Sequence, residues 1–176
     1  MLRENSRILH IAPEFALRKL IKRTPNVEYI MADSAPTRRD MVKLDVTHIG
    51  YPDNTFGAII CNHVLEHVIE DRMAMRELIR VWKPGGWTIL QVPIDNSREM
   101  TLEDSTVVSP EDRDCVFGHR GHVRWYGTDY PDRLSEAGFR VTADDYVRTL
   151  TPKLVERYWL NVDETVFARW KEKNAA

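Results

Sequence analysis

The spacing of apolar residues along the chain changes repeatedly, and each change marks an element. Arg7 to Ala12 (RILHIA), Val27 to Ala32 (VEYIMA) and Met41 to Val46 (MVKLDV) are short runs weighted toward isoleucine, leucine and valine. Phe56 to Cys61 (FGAIIC) and Trp87 to Val92 (WTILQV) are nearly continuous in apolar character, which predicts strands buried on both faces. Elsewhere the period lengthens. Phe15 to Lys22 offers Phe15, Leu17, Leu20 and Ile21 as one side of a helix. In Asp71 to Trp82, Met75, Leu78, Ile79 and Trp82 fall at i, i+3, i+4 and i+7. Lys83-Pro84-Gly85-Gly86 predicts the end of that helix. Further on, Thr128 is a candidate N-cap for a helix from Asp129 to Ala137, closed by Gly138. Strands are expected at Phe139 to Asp144 and Thr165 to Trp170, with partial helix over Leu150 to Leu160 and a frayed Lys-Glu-Lys-Asn tail. Two buried strands joined by one helix make a right-handed parallel unit. The first 93 residues then read β-α-β-β-β-α-β, an α/β layered domain whose ligands belong at the carboxyl ends of its strands.

Length and charge narrow the function classes. A chain of 176 residues suits one domain with a full core. A net charge of -2, with no basic run interleaved with aromatics, leaves no footprint for nucleic acid. No apolar stretch reaches the roughly 20 residues that span a bilayer, and the N-terminal residues lack a secretory pattern. Two cysteines do not make a disulfide framework, so a reducing cytoplasm is expected. One connection is unusually long. Asp95 to Gly121 is polar and carries a short acidic helical run, Pro110 to Val116; it leads into the aromatic HVRWY. Loops of this length are commonly functional, and residues 95–126 are read as an insertion on the substrate side.

Candidate chemistry sits at the strand tips. Asp33 ends the second strand 19 residues after Glu14, the place where doubly wound folds put the acid that accepts from a ribose diol. It could equally be a loop or cap aspartate. Asp45 could accept from the exocyclic amine of a base, or be a solvated loop acid. The first loop, Ala12-Pro13-Glu14-Phe15, has no glycine, no N–H at Pro13, and a carboxylate. A dinucleotide fold needs backbone amides here for its phosphates, so phosphate-bearing cofactors are disfavoured and a cationic nucleoside is admitted. His63-Val64-Leu65-Glu66-His67 fits the H-x-x-E-H zinc pattern. Its place at a strand-to-helix junction, without an evident third ligand, argues against a metal. His119-x-x-His122 is read as a loop pair, and no metal site is assigned.

In combination these stretches resemble a known family. Leu44-Asp45, Pro52-Asp53-Asn54-Thr55-Phe56-Gly57-Ala58-Ile59-Ile60, Val64-Leu65-Glu66-His67, Leu78 with Trp82-Lys83-Pro84-Gly85-Gly86, and Leu134-Ser135-Glu136-Ala137-Gly138-Phe139 resemble, in order and spacing, the class I S-adenosylmethionine-dependent methyltransferases. The likeness is to the small bacterial type-11-like enzymes and covers roughly residues 7 to 146. It implies a three-layer Rossmann-like fold with a seven-stranded, mostly parallel sheet, its antiparallel last strand beside the fifth. It implies S-adenosylmethionine as cofactor, with the ribose on Asp33, the adenine near Asp45 and Val46, and backbone contacts at Asn62 and His63. His10, Ala12, Pro13 and Glu14 would form the first loop. There the family usually has an acid and then Gly-x-Gly; an LHIAPE subgroup shares the present form, in which Glu14 could pair with the methionine ammonium. Gly57 stands where the family has an aspartate. The helical lid that usually precedes the first strand is expected to be short or absent. The implied activity is methyl transfer to a small-molecule acceptor, at oxygen or nitrogen rather than carbon. His63, His67, His119, His122 and Tyr126 are the candidate catalytic groups, and Trp125 and Tyr126 candidate pocket walls. A non-catalytic cofactor-binding or interaction module is the runner-up, and a zinc hydrolase using His63, Glu66 and His67 a remote third. No nucleic-acid or membrane partner is expected; a homodimer is admitted.

Overall fold

The computed structural model describes residues 6–144, 146–158, 160 and 166–170. In chain order these form β1 (Ser6–Ile11), α1 (Phe15–Ile21), β2 (Val27–Asp33), β3 (Val42–Lys43), β4 (Phe56–Cys61), a 3-10 turn (Leu65–His67), α2 (Asp71–Val81) and β5 (Trp82–Ile89). There follow β6 (Leu102–Glu103), α3 (Pro110–Phe117), β7 (Arg124–Trp125), α4 (Tyr130–Glu136), β8 (Thr142–Asp144), a second 3-10 turn (Tyr146–Thr149), α5 (Pro152–Tyr158) and β9 (Val166–Trp170).

β1 and β4 lie side by side at the centre, in parallel register from Ile8↔Ala58 to Ile11↔Cys61. β2 and β3 extend the sheet on one side and β5 on the other, all parallel. β9 joins the β5 edge antiparallel, and β8 pairs antiparallel outside it, giving the order β3-β2-β1-β4-β5-β9-β8. A separate antiparallel ribbon pairs β6 with β7. Alternating residues face opposite sides of the central strands. Ile8, Ala58 and Ile60 pack with Ile21 of α1. Leu9, Ile11, Ile59 and Cys61 pack with Ala74, Met75, Leu78 and Val81 of α2 and Leu134 of α4. Helices therefore cover both faces of a mostly parallel sheet. The chain leaves β1 in one direction toward β2 and later crosses to β4 on the other side. That switch point opens a crevice at the carboxyl ends.

Several boundaries differ from expectation. The third strand pairs only at Val42–Lys43, because Leu44 and Val46 turn into the core while Asp45 stays exposed. The fifth begins at Trp82, not Trp87: Lys83–Gly86 bulge out between the Phe56↔Trp82 and Ala58↔Trp87 pairs. Helix α2 ends one residue earlier than the apolar stripe suggests, and Trp82 is already extended. A β-carbon on Gly86 would lie 2.5 Å from the Gly57 carbonyl oxygen, so this close strand approach requires a glycine at position 86. The sixth strand shrinks to Thr142–Asp144, since Phe139 instead stacks on Trp82 in the core. In α1, Leu17 and Ile21 pack toward the sheet, whereas Phe15 and Leu20 are exposed. Asp129, not Thr128, occupies the N-cap of α4. The lid expectation ahead of β1, Thr165 and the Lys-Glu-Lys-Asn tail lie outside the described residues. Among the described residues, no helix is long and apolar enough to cross a membrane.

Candidate functional site

At the switch point lies a cavity of about 320 Å³, within the size range of small-molecule sites. Four strand tips build it: Ile11 at the end of β1 with Ala12 after it, Asp33 at the end of β2, Leu44 to Val46 after β3, and His63 after β4. Val64, His67 and Val68 close one side. Its charged side chains are the carboxylates of Asp33 and Asp45, and among the described residues no lysine or arginine lines it. Asp33 Oδ1 accepts the Ala35 N–H at 2.9 Å. Asp45 Oδ1 accepts the Thr47 hydroxyl at 2.7 Å and amide at 2.8 Å, which hold its carboxyl below the usual range. These local bonds aim both carboxylates and engage one oxygen of each.

The glycine-free first loop makes its turn another way. Ala12 adopts φ 48°, the left-handed region that glycine usually takes, and its N–H donates to Ala32 O at 2.8 Å. Behind it, Glu14 Oε2 meets His10 Nε2 at 2.6 Å and Oε1 accepts from Asn62 Nδ2 at 2.9 Å. His10 is fully buried, with Nδ1 2.7 Å from the Tyr29 hydroxyl. A chain of polar contacts thus ties β2, β1, the start of α1 and the tip of β4. Burial alone would raise the Glu14 pKa, but the His10 and Asn62 hydrogen bonds outweigh it and hold it at about 2. The Asn62 Oδ1 atom is buried without a hydrogen-bond partner among the described residues. Such an orphaned acceptor beside a site calls for a donor. His10, Pro13, Glu14 and Asn62 support the loop from off the cavity wall, whereas Ala12, Asp33, Asp45, Val46 and His63 stand on it.

The catalytic candidates separate. His63 lines the cavity with φ 53°, and its Nδ1 lies 3.5 Å from Oε1 of the buried Glu66. Tyr126 is not on the cavity wall. It is fully buried, donates to Asp71 Oδ2 at 2.8 Å and packs edge-on to Tyr130. Burial and the Asp71 charge push its hydroxyl far up, so it acts as a core hydrogen-bond donor. Trp125 likewise lies off the cavity, under the Arg98 guanidinium. The H-x-x-E-H pattern is not assigned to a metal, and its local geometry is not that of a zinc helix. Two zinc-binding histidines at i, i+4 need a continuous helix, and here only Leu65–His67 make a 3-10 turn, preceded by a left-handed His63. His67 turns instead toward the 95–126 segment, where His119 and His122 meet it. Burial first, then the neighbouring His67, lower the His122 pKa. Short-range spacing could not reveal this meeting, because His67 lies more than fifty positions before His119 and His122. The Glu14–Asn62 contact, 48 positions apart, is likewise invisible to local spacing.

Residues 11–90 match the family model described as a methyltransferase domain. Among solved structures, an S-adenosylmethionine-dependent methyltransferase from Mesorhizobium loti superposes with a TM-score of 0.59 at 12% identity, over 95% of this chain and 91% of that one. The chain has a class I S-adenosylmethionine-dependent methyltransferase fold. Demethylmenaquinone methyltransferases of Paenarthrobacter aurescens and Clavibacter sepedonicus are 37% and 36% identical over 51 and 53 residues. Those matches cover 29% and 30% of this chain but only 20% and 22% of the relatives' own lengths. The residues present fit the cofactor of this methyltransferase fold. Two carboxylates suit hydroxyl and amine donors, and Ile11, Leu44, Val46 and Val64 give apolar walls for a base; behind the wall, ionised Glu14 and the orphaned Asn62 oxygen add negative character next to the first loop.

Proposed function

We propose that the protein transfers a methyl group from S-adenosylmethionine to an oxygen or nitrogen of a small-molecule acceptor. The supporting observation is the cavity at the strand switch point, lined by Asp33 and Asp45 and, among the described residues, by no lysine or arginine. In this reading Asp33 accepts from the ribose hydroxyls, and Asp45 with Val46 receives the base. Glu14 and Asn62 hold the ammonium end. When bound, the cofactor supplies a methyl group on a cationic sulfur, already activated for displacement. What remains for the chain is to align the acceptor, exclude water and take up a proton. His63 takes the proton: it lines the cavity, and the Glu66 carboxylate beside its Nδ1 stabilises the charge it gains. The 95–126 segment forms the acceptor side, since its residue Val123 donates to the Glu66 carbonyl at 2.9 Å next to the cavity residue His67.

Calorimetry with S-adenosylmethionine and S-adenosylhomocysteine tests the reading. Both should bind, and Asp33→Ala should weaken binding by about 1–3 kcal/mol, the worth of hydrogen bonds to a charged group. No binding at millimolar ligand would overturn the proposal. Binding without turnover across oxygen and nitrogen acceptors would favour a non-catalytic cofactor-binding module.

A further inference from the structure

We propose that His67, His119 and His122 form a binding site for a divalent transition-metal ion of the zinc type, at the rim of the cofactor cavity. His67 comes from the 3-10 turn after β4, and the other two follow α3 in the 95–126 segment. One ligand nitrogen from each lies within 4.8 Å of the others. A tetrahedral ion with bonds of about 2.0–2.1 Å wants nitrogens roughly 3.3 Å apart. Side-chain rotation of exposed His67 and His119 supplies that contraction. Three imidazoles select zinc, nickel or copper over magnesium or calcium, which prefer oxygen.

The surroundings resemble those of metal-binding histidines. His67 donates its Nδ1–H to the Gly121 carbonyl at 2.9 Å, and His122 donates its own to Phe117 O at 3.2 Å. Each bond fixes the tautomer and leaves Nε2 as the lone-pair nitrogen, the outer-shell arrangement that orients ligating histidines. His119 differs: its Nδ1 accepts the Gly121 N–H at 3.1 Å. It enters the site either through Nδ1, giving up that bond, or through Nε2 after a change of tautomer. Gly121 makes room for the group. A β-carbon there would stand 3.0 Å from His67 Nδ1 and 3.4 Å from His119 Cε1. Charge also favours a cation. Glu66, next to His67 in the chain, is buried, and its Oε2 has no hydrogen-bond partner among the described residues.

Three protein ligands leave a fourth position open, as in catalytic rather than structural zinc sites. Because His67 is also a cavity wall, a water or an acceptor's hydroxyl oxygen could take that position. The acceptor's part rests on the methyl-transfer reading; the metal site itself does not. The test is zinc titration of the untagged full chain, stripped with a chelator, followed by calorimetry and by cobalt absorption spectra. One equivalent should bind, and cobalt should give the intense visible bands of tetrahedral nitrogen coordination. His67→Ala, His119→Ala and His122→Ala should each lower zinc affinity by at least about tenfold, with His48→Ala as an unaffected control. His119 is exposed, so its variant keeps the test valid should His122→Ala fail to fold. Sub-stoichiometric uptake by the stripped chain, or affinity unchanged in His119→Ala, would overturn the site. Because the readout is metal binding, its failure leaves the cofactor reading standing, and failure of cofactor binding leaves the metal site standing.

Discussion

Replacing Asp71 with asparagine should release the 95–126 segment from the domain. Asp71 is the first residue of α2 and is 3% exposed. Its Oδ2 accepts from the Tyr126 hydroxyl at 2.8 Å and from Arg133 Nη1 at 3.1 Å, with Arg124 Nε at 3.6 Å. Both guanidiniums are nearly as buried. Arg124 also donates to Leu65 O at 2.9 Å, to Ile69 O at 2.8 Å and to Val68 O, so it staples β7 to the 3-10 turn that carries His67. Removing one partner of a buried ion pair costs about 3–5 kcal/mol, because it leaves an uncompensated charge. Glu103 and Asp129 remain beside the two arginines, which places the expected loss near the lower end, at about 3 kcal/mol. With a urea m-value of about 2 kcal/mol/M, the unfolding midpoint falls by roughly 1.5 M. Tyr126→Phe deletes one hydrogen bond to a charge and should lose about 1.5–3 kcal/mol. The double variant should lose less than the sum, since both act on one network. Limited proteolysis of Asp71→Asn should cut first between 95 and 123. A loss under about 1 kcal/mol, or strict additivity, would refute the view that this network holds the segment in place.

Other expectations concern the strand tips. Gly86→Ala forces a β-carbon against the Gly57 carbonyl and should destabilise the domain by about 1–3 kcal/mol in urea unfolding, whereas Gly57→Ala, with its nearest neighbour at 3.9 Å, should be tolerated. Ala12→Gly relieves a left-handed alanine whose cost is about 1–2 kcal/mol, offset in part by unfolded-chain entropy; the net gain should be about 0.5–1 kcal/mol in the same assay. For Glu14, the folded pKa of about 2 lies below the ordinary 4.5, so its contribution is present above pH 4.5 and is lost as pH falls toward 2. With the side chain 37% exposed, solvent screening reduces that contribution to about 1 kcal/mol. Wild type should lose this much more than Glu14→Gln between pH 5 and pH 2.

The parts of this fold that could be read from sequence are those fixed by local pattern. FGAIIC announces a strand buried on both faces because a central parallel strand has no solvent side, and β4 is that strand. Residues 71–81 announce α2 because their apolar stripe matches a helical turn. Pattern fails where the environment is set from far away. Leu44 and Val46 look like strand residues, yet at the sheet edge they turn inward around an exposed Asp45. Phe15 and Leu20 look like a packing face, but α1 is short and the sheet takes only Leu17 and Ile21. Tyr126 looks like a pocket aromatic, and only the fold reveals Asp71 waiting for its hydroxyl. The site divides the same way. Asp33, Asp45 and His63 were legible because strand ends are legible, while the Glu14–Asn62 contact and the meeting of His67 with His119 and His122 depend on tertiary contacts.

The first loop shows how the pocket selects charge. A phosphate site needs consecutive backbone N–H groups converging on the ligand. Here Pro13 contributes none, and the Ala12 N–H is already bonded to Ala32 O. What the loop contributes instead is a carboxylate, fixed in position by His10 and Asn62 and held ionised down to about pH 2. Asp33 and Asp45 on the neighbouring tips line the cavity itself, with Glu14 behind its wall, and among the described residues no lysine or arginine lines it. A polyanion would meet repulsion from these acids, whereas hydroxyl and amine donors would find acceptors in Asp33 and Asp45. The alanine at φ 48° makes a turn in the conformation that glycine usually takes, and Glu14 two residues on places a carboxylate where a phosphate site would place amides. The missing glycines thus narrow the ligand class without closing the site.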